Sequence, residues 1–177
     1  VLTFKVKATN SDLTLRKIPV TLTLANNGAA TLGDVVNTVK LMKGTDMVDN
    51  LDGSANTAGL YSFANLSSSA NTISMGSTAE FSIVVDFKKQ MNGVTPVYPA
   101  GTTIKAEVLN SNVISSTAFS VLDKNGDQLT STSTYRTGSA LGNTMTLRVK
   151  GVSATVGSMT APVTTTNTTT GAQQVAF

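Results

Sequence analysis

The sequence predicts an all-β protein, an antiparallel β-sandwich with extended, strand-forming ends, and three observations carry that expectation. Apolar residues recur at every second position in one segment after another, the pattern of a strand with one face buried. Gly, Asn and Pro punctuate those segments at short intervals, as turns between antiparallel strands require. Charged residues make up only 13% of the chain against 40% hydrophobic, so Thr, Ser, Asn and Gly must furnish most of the polar surface. A disordered chain would instead combine low hydrophobicity with high net charge.

The first segment, VLTFKVKA, sets Leu2, Phe4, Val6 and Ala8 against Thr3, Lys5 and Lys7. In the second, Ile18, Val20, Leu22 and Leu24 alternate with Thr21 and Thr23 and stop at the turn sequence Asn26-Asn27-Gly28. Val35 to Met42 is a third run, and LGDVVNTVKLM, residues 32–42, permits two readings. Asp34 can cap a short helix that buries Val35, Val39 and Met42, whereas three β-branched valines favour a strand. Leu60 to Leu66 is a weaker run carrying Tyr61 and Phe63 on one face.

AEFSIVVDFK places Phe81, Ile83, Val85 and Phe87 together, as a central strand would, with Glu80, Asp86 and Lys88 on a solvent-facing polar side. Pro96 and Pro99 break the next loop, and Thr102 to Leu109 then alternates Ile104, Ala106 and Val108 with Thr103, Lys105 and Glu107. Residues 113–122 and 128–135 flank DKNGDQ, whose Asn125-Gly126 pair is a strong hairpin turn signal. Met145, Leu147 and Val149 alternate with Thr144, Thr146, Arg148 and Lys150. Residues 1–150 therefore read as the sandwich. Residues 151–177 read as an extended Thr-rich segment, since TTTNTTT at 164–170 is too polar to pack a core, leading to a donor or inter-repeat strand.

Composition narrows function by exclusion. With 177 residues the chain fits one large β domain. Thirteen Lys and Arg against ten Asp and Glu give a net charge of +3, but the basic residues are scattered, with Lys88-Lys89 the longest cluster, and aromatics are only 5%. Neither a phosphate-tracking groove nor a base-stacking platform is indicated, so no nucleic-acid partner is expected. The chain has no Cys, His or Trp, which removes disulfides, thiolate and imidazole metal ligands, and the Ser-His and Cys-His nucleophile arrangements. Catalysis is not expected. No apolar run of about 18 residues and no leader-like segment is present, which predicts a soluble segment without membrane insertion.

The two ends carry the functional signal. If a second copy followed the first, Val175, Phe177, Leu2, Phe4, Val6 and Ala8 would fall two apart through the join QQVAFVLTFKVKA. Chance gives matching parity about half the time for a period of two, but both ends are independently strand-like. The chain is then one unit of a tandem array, or a terminal strand completes the sheet of a neighbouring subunit and covers an edge that would otherwise aggregate. A third reading pairs Gln173–Phe177 within its own domain. The expected interface residues are Leu2, Phe4, Val6, Val175 and Phe177.

KIPVTLTLANNGAATLGDVVNTVKLMKG, residues 17–44, resembles the opening hairpin of immunoglobulin-like, CARDB-like modules of microbial extracellular surface proteins. Val20, Leu22, Leu24, Asn27, Gly28, Ala30, Val36 and Leu41 match its pattern of alternation and turn. TISMGSTAEFSIVVDF with PAGTTIKAEV is similar to the second half of such repeats. The resemblance implies an Ig-like β-sandwich acting as an extracellular or cell-surface structural or adhesive module. The segment at 44–60 and the Thr-rich tail depart from its pattern.

Within that frame the expected function is a structural subunit whose partner is itself, assembling head-to-tail into a filament, sheath or layer. The alternative is a non-polymerising adhesin or carbohydrate-binding repeat, reading ligands through loops 44–58 and 89–99 with Tyr61 and Tyr98 as its aromatics. Asp123, Asn125 and Asp127 offer three oxygen ligands on a tight loop, the beginning of a calcium site, although no bidentate Glu follows at the EF-hand spacing. Asp46, Asp49, Asn50 and Asp52 supply further oxygens, or a solvated polar loop. No other cofactor is expected. Asn65 and Asn167 begin N-x-[ST] sequons, candidate glycan sites in an exported protein.

Overall fold

In a computed structural model, residues 2–55, 58–66, 71–92, 95–130, 136–148, 164–166 and 173–175 are described, the last two stretches and residues 55, 91, 92 and 95 as backbone only. The first half of the chain supplies β1 (Leu2–Lys7), β2 (Leu13–Ala25), the short helix α1 (Leu32–Val35), β3 (Val36–Lys43), β4 (Asp46–Asp52), β5 (Leu60–Ala64), β6 (Thr72–Ile73) and β7 (Thr78–Phe87). The second supplies β8 (Met91–Asn92), β9 (Thr95–Pro96), β10 (Thr103–Val108), α2 (Asn110–Val113), β11 (Ser120–Leu122), β12 (Ala140–Leu141), β13 (Met145–Thr146), β14 (Thr164–Thr166) and β15 (Gln173–Val175).

Two antiparallel sheets form the sandwich, an arrangement consistent with an Ig-like fold. The first has the order β1-β7-β3-β4, so the segment expected to be central is central. Phe81, Ile83 and Val85 of β7 point inward beside Val39 and Leu41 of β3. Phe4 pairs with Phe81 across the β1–β7 ladder and the rings stack at 5.7 Å.

β2 is the spine of the second sheet. One of its edges pairs with β10 through Thr21–Ala25 and with β11 through Thr14–Lys17; the other pairs with β5 and β6. Pro19 has no N–H to give a ladder, and it falls where β2 passes from β10 to β11. Residues 140–146 return alongside β10, with Ala140 opposite Val108 and Thr146 opposite Thr103. Leu15, Ile18, Val20, Leu22, Phe63 and Ile104 from this sheet meet the inner face of the first in one core.

Four local expectations change. Residues 32–42 realise both readings in succession, a helical turn and then β3. Thr31 is the cap, and the Asp34 carboxylate accepts from its N–H and hydroxyl, each at 2.8 Å. Residues 46–52 are a strand rather than a polar loop, because Val48 and Leu51 pack on the core between the aspartates. Residues 113–119 are not strand: α2 and a turn occupy them, with the Ser115 carbonyl and hydroxyl accepting from the N–H groups of Phe119 and Ala118. Such local side-chain bonds compete with a sheet ladder. Of the last alternating run only Met145–Thr146 is strand, and Val149 lies outside the described residues.

Candidate functional site: the β1 edge

β1 pairs with β7 on one side only; among the described residues no strand pairs with its outer side. Between β1 and the second sheet lies a cavity of about 480 Å³. Its walls include Val6, Leu13, Val113, Phe119, Val121 and Leu129. Val6, Leu13, Val113, Leu129 and Ala140 belong to the hydrophobic core yet stay half-buried, all of them along this one cavity. Among the described residues the core is incompletely filled on this side.

Arg136 lines the same cavity and is only 4% exposed. Its terminal nitrogens donate to the carbonyls of Phe119 at 2.6 Å and Ile114 at 3.0 Å, and its guanidinium lies 6.0 Å from the centre of the Phe119 ring. Burial lowers its pKa from the ordinary guanidinium value, and the group remains a cation, as arginine does throughout folded proteins. Its Nε has no hydrogen-bond partner. All ten acidic residues of the chain are among the described residues, and the ion pairs seen at Lys5–Glu80, Lys40–Asp86 and Lys105–Glu107 do not involve Arg136. Among the described residues Arg136 is held by two backbone carbonyls and the Phe119 ring.

Leu2 and Phe4, expected at an interface, are 5% and 8% exposed inside the sandwich of their own chain. Val6 borders the cavity. Val175 lies in β15, paired with Thr164 of β14, and Phe177 lies outside the described residues. Leu2 and Phe4 are therefore core residues of their own chain.

The 123–127 turn forms as its sequence predicts, with the Asp123 N–H donating to the Asp127 carbonyl at 2.9 Å. The Asp123 carboxylate accepts from the amides of Asn125 at 2.8 Å and Asp127 at 3.0 Å, so one of its oxygens serves the turn itself. Among the described residues no three acidic side chains gather into a metal-binding group. Asn65 is exposed at a left-handed turn position, φ 57°, which Asn tolerates. Ser67 of its sequon and Asn167 lie outside the described residues.

Tyr61 and Tyr98 are not loop-tip aromatics. They are 2% and 6% exposed, with hydroxyls donating to the carbonyls of Gly53 at 2.9 Å and Lys88 at 3.3 Å. Arg136, Phe119 and Leu129 were not legible as a site, because a lone Arg among Ser, Thr and Gly carries no signal of burial. Among the described residues no helix is long and apolar enough to cross a membrane. Comparison with known proteins finds no matching family, no similar curated protein and no similar solved structure.

Proposed function

We propose that this chain is an extracellular structural subunit that assembles head-to-tail with copies of itself through β-strand complementation. One observation carries the reading: among the described residues an edge strand without an outer partner borders a core left half-filled on that side. Such an edge is an aggregation hazard unless something pairs with it, and an added strand supplies both backbone hydrogen bonds and alternate apolar side chains. The tail already carries strand backbone at Gln173–Val175. The extracellular setting rests on the likeness of residues 17–44 to surface modules. The burial of Tyr61 and Tyr98 takes away the aromatics on which the adhesin alternative leaned.

The test is negative-stain microscopy of the full chain beside a version lacking residues 171–177. Fibres from the first and dispersed particles from the second are expected. Dispersed particles from both would sink the reading.

A further inference from the structure

We infer that the cavity behind β1 is the acceptor of this assembly, and that its occupant is the Gln173–Phe177 stretch of a second copy. The inference rests on the strand-complementation reading and adds the receiving site and the polarity to it.

Polarity follows from the ladder. Residues 140–146 run beside β10 from its Val108 end to its Thr103 end, and Leu147 continues by donating to the Thr102 carbonyl at 2.7 Å. The last described residues of this run, Leu147 and Arg148, therefore lie at the Thr102 end. The cavity opens at the other end of β10, where Val108 and Ala140 line it. Six strand residues at about 3.3 Å each separate the Thr102 end from the cavity by roughly 20 Å. A tail that continues outward from that end meets the cavity end of the next copy when copies stack in the same orientation, and it is this continuation that cross-linking tests. That is the geometry of an open, head-to-tail polymer.

The edges and the chemistry agree. β15 uses one edge on β14, and among the described residues its other edge is unpaired, as is the outer edge of β1. Val175 and Phe177 alternate as a strand feeding half-buried Val6, Leu13 and Leu129 must. The cavity wall carries Lys5, Lys7 and Arg136 and no carboxylate, and residues 149–177 contain a single cation, Lys150, and no acid. The Arg136 Nε–H lacks an acceptor, and a strand offers such acceptors as backbone and Gln amide carbonyls.

The absence of native cysteine makes introduced pairs unique. Full-length Ser139→Cys, at the exposed rim, is mixed with full-length Gln174→Cys and oxidised, with Met47→Cys on exposed β4 as the control acceptor. The expected result is an interchain disulfide several-fold more abundant with Ser139→Cys than with Met47→Cys. Filaments accompanied by equal yields, or by more of the Met47 product, would overturn the acceptor while leaving strand complementation standing. The Ser139→Cys/Gln174→Cys double variant at high dilution reads the competing arrangement: a monomer closed by an intrachain disulfide means the tail fills its own cavity, and the inference falls. No filaments and no cross-link would remove both readings. An interchain Ser139–Gln174 cross-link without filaments keeps the acceptor and removes the polymer. Ala140→Trp, at a half-buried wall position, supplies an independent check. Filament growth should stop while the circular dichroism spectrum keeps its β signature, and filaments of undiminished length from that variant would count against the acceptor.

Discussion

The two sides of the four-stranded sheet are built differently. On the β4 side the chain closes its own core within a few residues: a 3₁₀ turn at Gly53–Ala55 follows β4, and Gly53 lies so close to β3 that a Cβ there would stand 2.3 Å from Val36 Cγ1 and 2.8 Å from its carbonyl carbon and oxygen. The Tyr61 hydroxyl seals that turn by donating to the Gly53 carbonyl. On the β1 side, closure depends on residues brought from Val113, Phe119, Leu129 and Arg136, more than a hundred positions away in sequence, and a cavity of about 480 Å³ remains. Backbone in close contact at Gly53 on one side and an open cavity on the other separate what the chain finishes by itself from what it leaves open.

That contrast can be broken by mutation. Gly53→Ala should be the most damaging change, because the new methyl meets backbone atoms of Val36 that cannot rotate away; a loss of about 3 kcal/mol in urea unfolding is expected, the upper end for overpacking. A loss below about 1 kcal/mol would mean that the closed side yields more easily than its geometry implies. Tyr61→Phe comes next. It leaves the buried Gly53 carbonyl without its partner, at an expected cost of about 1–2 kcal/mol. Leu129→Ala, on the open side, should cost less than about 1 kcal/mol, since its side chain is already half out of the core and buries little area on folding. If Leu129→Ala proves as costly as Gly53→Ala, the two sides do not differ as described.

How much of this was legible in the sequence follows from the same contrast. β7 and β2 were read correctly because alternation is a local property, and Ile18, Val20, Phe81 and Ile83 declare their faces without reference to any partner. The Asn125-Gly126 turn was legible for the same reason, with Gly126 at φ 85° where a left-handed turn position is needed. β4 was not, because Asp46, Asp49 and Asp52 on an edge strand look like loop chemistry until Val48 and Leu51 are seen against the core. The burial of Arg136 was invisible. It depends on the carbonyls of Ile114 and Phe119, and nothing in STSTYRTGS announces them. The same holds for Tyr61, whose hydroxyl partner at Gly53 was hidden inside an unread turn. Strands that alternate were legible, whereas the polar edge strand and the closing contacts were not, since both depend on partners that the local pattern does not name.

The smallest expected effect is a pH dependence on the outer face of that sheet, where β3 and β7 meet. Asp86 accepts from Lys40 Nζ at 2.6 Å and from the Thr38 hydroxyl at 2.8 Å. These bonds, the Lys40 contact first, hold its carboxyl below the ordinary carboxylate value. The pKa in the folded protein is therefore lower than in the unfolded chain, where it is about 3.9. Ionised Asp86 contributes stability above that unfolded value, and the contribution fades as pH falls through the folded one. The group is solvent-exposed, so screening keeps the effect small. Comparing the wild-type chain with Asp86→Asn isolates it, because Asp34 and Asp52, also lowered by bonds from Thr31 and Ser54, titrate in both proteins and cancel. The stability difference should be constant above about pH 5 and shrink below about pH 4. A difference that holds unchanged to about pH 2 would mean that Lys40 and Thr38 do not hold the charge in solution. The outer face of the sheet would then contribute only its backbone ladder.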